Sequence, residues 1–175
     1  MIVVSGLAHC GKDTIADHLV SHHGYTKMAL AEPLKEACRE IFGFSDAQLY
    51  GDLKEVIDPY WGKTPRQCFQ FIGTELFRDK FDKDIWIKSL VRKIRDSLDR
   101  QKIVISDIRF ENELQRLKDL GTVISLRVIR DIPPDQDFRS HASEQIQDIP
   151  YDHLILNNGT LEELYTKIDS LMKMI

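Results

Sequence analysis

Gly6-Leu7-Ala8-His9-Cys10-Gly11-Lys12 follows the pattern GxxxxGK. Glycines at Gly6 and Gly11 let successive backbone amides curl around phosphate oxygens without side chains in the way, and a helix beginning beside them adds its positive end. Lys12 supplies a point charge suited to the β- and γ-phosphates of ATP. The loop from Gly6 through His9 to Lys12 is therefore expected to bind ATP. The hydroxyl residue usual after such a lysine is absent: Asp13 takes its place and Thr14 follows. A carboxylate beside a triphosphate is repulsive without a cation, so Asp13 is expected to face Mg2+, directly or through water, with Thr14 on phosphate. The plainer reading of Asp13 is a carboxylate favoured by the helix dipole.

A second group of charges follows an apolar run. Ile103-Val104-Ile105-Ser106 ends at Asp107, and Arg109 stands two residues on. Asp107 there can hold magnesium-bound water while Arg109 meets phosphate oxygens; a surface ion pair is the alternative. A third group starts at Thr64-Pro65-Arg66-Gln67, where a capping hydroxyl, a first-turn proline and a glutamine start a helix. Arg66 and Gln70 share one face of it, with Arg78 further along. A guanidinium suits a monophosphate dianion by bidentate pairing, and Gln70 can read a base edge. Solvated helix charges are the competing reading, and Phe69, Phe71, Phe77 and Trp86 read first as core rather than as base-stacking platforms.

These groups need elements to hold them. Ile2 to Ser5 is a short buried strand entering the glycine turn, and Ile15, Leu19 and Val20 recur at helical spacing until Gly24. A strand around 25–30 follows, then a helix from Pro33 fading near Gly43. Residues 43–63, with Gly51, Pro59 and Gly62, read as the most loop-like and mobile stretch. The helix from Pro65 carries Phe69, Ile72, Leu76 and Phe77 on its apolar face, and another runs from Asp84 to Leu98. After the strand at 103–106 come a helix from Glu111 to Leu120 closed by Gly121, and a strand from Thr122 to Ile129. A Pro- and Asp-rich insertion precedes a last strand, His153 to Leu156, and Thr160 with Glu163 caps a terminal helix. Strands alternating with helices predict an α/β fold, a five-stranded parallel sheet covered on both faces, with ligands beyond the strands' carboxyl ends.

The whole chain narrows the choice further. At 175 residues, 42% apolar and 30% charged, it suits one globular domain. A net charge of -4 gives no global basic field for a nucleic-acid polymer or an anionic membrane. Three cysteines without CxxC spacing argue against a disulfide framework or zinc site, and no apolar run suggests a signal or a span, so a cytoplasmic setting is expected. Cys10 lies in the phosphate loop, where a helix N-terminus lowers a thiol's pKa.

Several separated segments resemble the deoxynucleoside monophosphate kinases of the bacteriophage type. They are Gly11-Lys12-Asp13-Thr14, Ala31-Glu32-Pro33-Leu34-Lys35, Gly73-Thr74-Glu75-Leu76 with Asp84-Ile85-Trp86, Ser106-Asp107-Ile108-Arg109, and Asn157-Asn158-Gly159 running into Thr160-Leu161-Glu162-Glu163-Leu164. The resemblance implies a three-layer P-loop kinase fold, ATP and Mg2+ as cosubstrates, and a nucleoside monophosphate, deoxy preferred, as acceptor. It implies acceptor binding by residues 31–86, with Glu32, Lys35, Arg66, Gln70, Arg78, Trp86 and Arg109 as candidates, and a lid at 130–145. Arg130 and Arg139 would close that lid, which also holds His141 and Glu144, and the loop of Asn157, Asn158 and Gly159 would lie near adenine. Glu32 stands where many relatives carry Asp. Phosphomevalonate kinase and dephospho-coenzyme A kinase share parts of the pattern, so another phosphorylated metabolite stays open as substrate, as do a non-catalytic nucleotide-binding module and a homodimer.

Overall fold

A computed structural model describes residues 1–96, 102–131 and 149–175. Five strands form one sheet: β1 (Ile2–Ser5), β2 (Thr26–Met28), β3 (Ile103–Ile105), β4 (Ile124–Ile129) and β5 (His153–Leu156), in the order β2-β3-β1-β4-β5. Every pairing is parallel. The seven described α-helices are α1 (Lys12–His23), α2 (Glu32–Phe42), α3 (Asp46–Leu49), α4 (Pro65–Gln70), α5 (Ile85–Asp96), α6 (Glu111–Lys118) and α7 (Leu161–Met172). The alternation of strand and helix thus yields the expected five-stranded sheet. Strands β2 and β4 are shorter than their apolar runs suggest. Leu98 and the lid candidates Arg139, His141 and Glu144 lie outside the described residues.

The chain divides into two compact units, Met1–Ala29 with Val91–Ile175, and Leu30–Leu90. In the first, β1 is central. Alternation along the strands puts Ile2, Val4, Val104, Leu126 and Val128 on one sheet face, where they pack with Ile15 and Leu19 of α1 and Leu164 and Ile168 of α7. Val3, Ile103 and Ile105 point the other way and are equally buried, so that face is covered too, as a parallel sheet requires. The connection from β1 leaves towards β2 and the one from β4 towards β5, so the chain parts beside β1's carboxyl end.

The second unit has its own core of Leu34, Cys38, Phe44, Leu49, Cys68 and Ile72. Residues 43–63 are more ordered than their composition suggests: α3, a 3₁₀ turn at Asp52–Glu55 and a bridge between Asp58 and Lys63 occupy them. The overlooked signal is Ser45 with Gln48, a capping box of the same spacing as Thr64 with Gln67. After α4 the helix widens into a π-helical stretch, Phe71–Phe81, whose last bond runs from the Asp82 amide to the Phe77 carbonyl at 2.9 Å. The apolar face then follows Cys68, Ile72 and Phe77 rather than a 3.6-residue period. Phe71 and Leu76, expected inside, are therefore 53% and 45% exposed. Gly73 permits the approach of α2, since a Cβ there would lie 2.6 Å from Leu34 Cδ2.

No described helix is long and apolar enough to cross a membrane. Leu19, fully buried between α1 and the sheet, tests the first core. Leu19→Ala should cost about 2–5 kcal/mol in urea unfolding, and a loss well under 1 kcal/mol would contradict this packing.

Candidate functional site

The loop between β1 and α1 is built for bare backbone. Gly6 has φ 154° and a Cβ there would lie 2.5 Å from the Val128 carbonyl oxygen and 2.6 Å from Cys10 Sγ. Gly11 has φ 103°, and a Cβ on it would lie 2.5 Å from Asn157 Nδ2. Between them exposed His9 takes φ 61°, a left-handed turn that continues the curl. Two side chains fasten the loop: Asn157, buried just after β5, donates to the Cys10 carbonyl at 2.8 Å, and Lys12 Nζ donates to the Leu7 carbonyl at 2.6 Å. Lys12 thus curls back over the loop, with Cys10 Sγ 3.9 Å from its Nζ.

Asp13 opens α1 with its side chain largely exposed. It accepts from the Ser106 hydroxyl at 2.9 Å and pairs with Lys27 of β2 at 3.0 Å; Lys27 also reaches Asp17 at 2.9 Å. Partial desolvation pushes the Asp13 carboxyl up, but Lys27's hydrogen bond and charge, the Ser106 hydroxyl and the charge of Lys12 outweigh it and hold it below the usual value. The same acids hold Lys27 above its usual value against the opposing effect of burial. Nothing in the sequence separation of 14 residues singled out Lys27 as the counter-charge. Thr14 is half-buried one residue further into α1.

The carboxyl end of β3 presents Ser106, Asp107 and Arg109, so Asp13 and this strand end meet through Ser106. Asp107 and Arg109 are half-buried. Their turn is held by Glu113 of α6, which is buried and accepts from the Arg109 and Phe110 amides at 2.9 and 3.1 Å. Glu113 went unnoticed in the sequence because its role is made by the turn itself.

Cys10 departs from expectation. Its thiol is buried, and burial, against the lowering charge and backbone of Lys12, raises its pKa. The helix end does not create a reactive thiolate here. After β5, Asn158 does not stand alone: its Nδ2 donates to Asp131 at 2.6 Å and its Oδ1 accepts the Asp131 amide at 2.9 Å, next to exposed Arg130. Gly159 packs under Glu163 of the α7 capping box, where a Cβ would lie 1.7 Å from Oε2.

The acceptor candidates of the second unit have the following partners. Arg66 pairs through Nε with Glu55 of the 3₁₀ turn. The Tyr50 hydroxyl lies between Glu32 and Glu36, 2.9 and 2.8 Å away, and Lys35 Nζ sits 4.3 Å from the centre of its ring. Partial desolvation, then the hydrogen bonds and charges of the two carboxylates, raise the Tyr50 phenol. Tyr50 was absent from the sequence-based candidates. Gln70 is half-buried at the end of α4. Arg78 donates to the Lys83 carbonyl at 3.0 Å, and the Trp86 indole donates to the Gly73 carbonyl at 2.8 Å while its ring packs edge-on to Phe77. These last two side chains brace the helical hairpin that carries them.

Two outcomes test this geometry. Gly6→Ala must move the β4 backbone or the loop and should cost about 1–3 kcal/mol in urea unfolding as well as nucleotide binding; an unchanged protein would refute the cradle. Because the folded Asp13 carboxyl lies below its ordinary 3.8, its contribution to stability is present above that value and is lost as pH falls through the lower folded value. Asp13→Asn should flatten the acid side of the stability curve, read by urea unfolding in steps of pH, and an unaltered acid limb would refute the ion pair.

The chain as a whole is similar to known proteins. The sequence profile described as deoxynucleotide monophosphate kinase matches residues 50–168. A protein of Acanthamoeba polyphaga mimivirus named "Putative deoxynucleotide monophosphate kinase" is 36% identical over 189 aligned residues, spanning 97% of this chain and 94% of its own. The deoxynucleotide monophosphate kinase of Enterobacteria phage T4 is 22% identical over 244 residues, covering 100% of this chain and 99% of its own. Among solved structures, a sugar kinase from Janibacter sp. HTCC2649 superposes with a TM-score of 0.53 at 14% identity, over 98% of this chain and 93% of that one, a likeness of fold alone. With the P-loop kinase fold and these relatives, the chain belongs to the deoxynucleotide monophosphate kinase family of phosphotransferases.

Proposed function

We propose that this chain transfers the γ-phosphoryl group of ATP, with Mg2+, to a deoxynucleoside monophosphate, yielding the diphosphate and ADP. The carrying observation is the loop from Gly6 to Lys12, whose amides curl free of side chains beneath a lysine that already holds an oxygen. The cradle fits a polyphosphate because a Cβ at either glycine would collide with a neighbouring oxygen, sulfur or nitrogen.

Phosphoryl transfer asks for an acceptor oxygen in line with the γ-phosphorus and for positive charge at the equatorial oxygens. Lys12 and Arg109 supply that charge. Mg2+ neutralises phosphate charge when bound, and Asp13 and Asp107, with the Ser106 hydroxyl between β3 and α1, are the residues to hold it or its waters. An ion there would compete with Lys27 for Asp13. The acceptor phosphate is already ionised at neutral pH, so no strong general base is needed.

In the second unit Arg66, with Gln70 on the same face, binds the acceptor. Glu55 occupies the Arg66 guanidinium with a carboxylate, an anion that a phosphate monoester can replace with better bidentate geometry. Glu32, Lys35 and Tyr50 form one polar cluster of the same unit and are proposed to contact the acceptor's sugar or base.

ADP formation measured against deoxy- and ribonucleoside monophosphates, phosphomevalonate and dephospho-coenzyme A tests the assignment. Turnover should require a deoxynucleoside monophosphate, Lys12→Met should lower it by about 10²–10³-fold, and Arg66→Ala should raise the acceptor KM while leaving ATP binding intact. ATP binding without monophosphate-stimulated turnover would make the chain a binding module instead.

A further inference from the structure

Towards the C-terminal end of α1, His18 and His23 converge on Asp169 of α7. His18 Nε2 lies 2.7 Å and His23 Nε2 2.8 Å from the same carboxylate oxygen, Oδ1. The three ligand atoms fall within 4.8 Å of one another. His23 is the last residue of α1, about 16 Å along its axis from Lys12, so nucleotide chemistry has no use for this cluster.

The cluster is held in place rather than scattered on a surface. His18 is 4% exposed, and its ring is stacked on Tyr165 at 4.1 Å and on His22 at 4.4 Å. His23 and Asp169 are partly open, with side chains 23% and 44% exposed, which leaves a path and room for water. Two imidazoles aimed at one oxygen each carry a proton on Nε2 in this arrangement. A single divalent cation can stand in place of both protons once each ring moves its proton to Nδ1.

We propose that His18, His23 and Asp169 form a site for a first-row transition-metal ion of the zinc class, completed by water, which ties α1 to α7. Two imidazole nitrogens and one carboxylate oxygen suit zinc, cobalt or nickel and not the all-oxygen preference of magnesium. Metal bonds of about 2.0–2.1 Å in tetrahedral array separate ligand atoms by roughly 3.3 Å, so each histidine nitrogen must part from Oδ1 by about half an ångström. The exposed pair, His23 and Asp169, can supply that movement. His18 Nδ1 is buried with no hydrogen-bond partner among the described residues. A metal-bound His18 therefore lacks the outer acceptor that strengthens such ligands, and the site is weaker by about 10–100-fold than a fully supported one.

Full-length protein stripped with a chelator and kept in excess Mg2+ is titrated with Co2+, read by its visible ligand-field absorption, then challenged with Zn2+. One equivalent should bind and be displaced by Zn2+, and the thermal midpoint should rise by about 5–11 °C at a hundredfold excess of Zn2+ over its Kd. His23→Gln and Asp169→Asn should each weaken uptake at least tenfold and abolish the metal-dependent rise, while His153→Gln keeps both. Reading the rise with added metal, rather than the absolute midpoint, separates metal loss from loss of a hydrogen bond. No saturable uptake by the parent, or uptake unchanged in the His23 and Asp169 variants, overturns the site.

Discussion

The structure turns on a backbone that must bend where no side chain fits. Gly6 and Gly11 sit at φ values that side chains rarely adopt, and each faces an atom within 2.6 Å of where a Cβ would be. That curl needs walls. β4 supplies one through Val128 and the residue after β5 another through Asn157, so the two strands on that side of β1 make the loop a cradle rather than a turn. Placing β1 between β3 and β4 also brings Ser106 to the first residues of α1. The sheet order and the loop conformation are thus one requirement seen at two scales.

Charge is arranged around this cradle in compensated pairs. A carboxylate at the start of α1 enjoys the helix's positive end but would repel a polyphosphate. Lys27 answers it from β2, bridging Asp13 and Asp17, and the Ser106 hydroxyl fixes its orientation. Glu113 does similar work on the other side of β3's end, ordering two amides of the turn that bears Arg109. Cys10 contributes shape alone, because burial keeps it a thiol.

In the second unit the same economy appears with aromatic packing. The π-helical stretch shifts its apolar face by one position, which buries Ile72 with Phe77 beside it and leaves Phe71 and Leu76 to solvent. Trp86 closes the hairpin onto the Gly73 carbonyl, and Gly73 is small so that Leu34 can approach. Arg66 stands at the start of this long helix, where the Thr64 cap fixes its first turn and Glu55 occupies its guanidinium.

By itself the sequence determined the elements whose cause is local. The phosphate loop, the capping boxes at Thr64 and Thr160, the αL glycines Gly24 and Gly43 closing α1 and α2, and the alternation that demands a parallel sheet are all fixed by neighbours a few residues apart. Ser45 with Gln48 belonged to that set and was masked by the polar composition around it. Tertiary structure alone decided which distant groups meet: Lys27 on Asp13, Asn157 under the loop, Tyr50 between two glutamates, two histidines on Asp169. Their cause is the packing of strands and helices far apart in the chain, and no periodicity records it. The widening of the helix after Gln70 has the same origin, since a π turn is set by what packs against it rather than by the propensities of its residues.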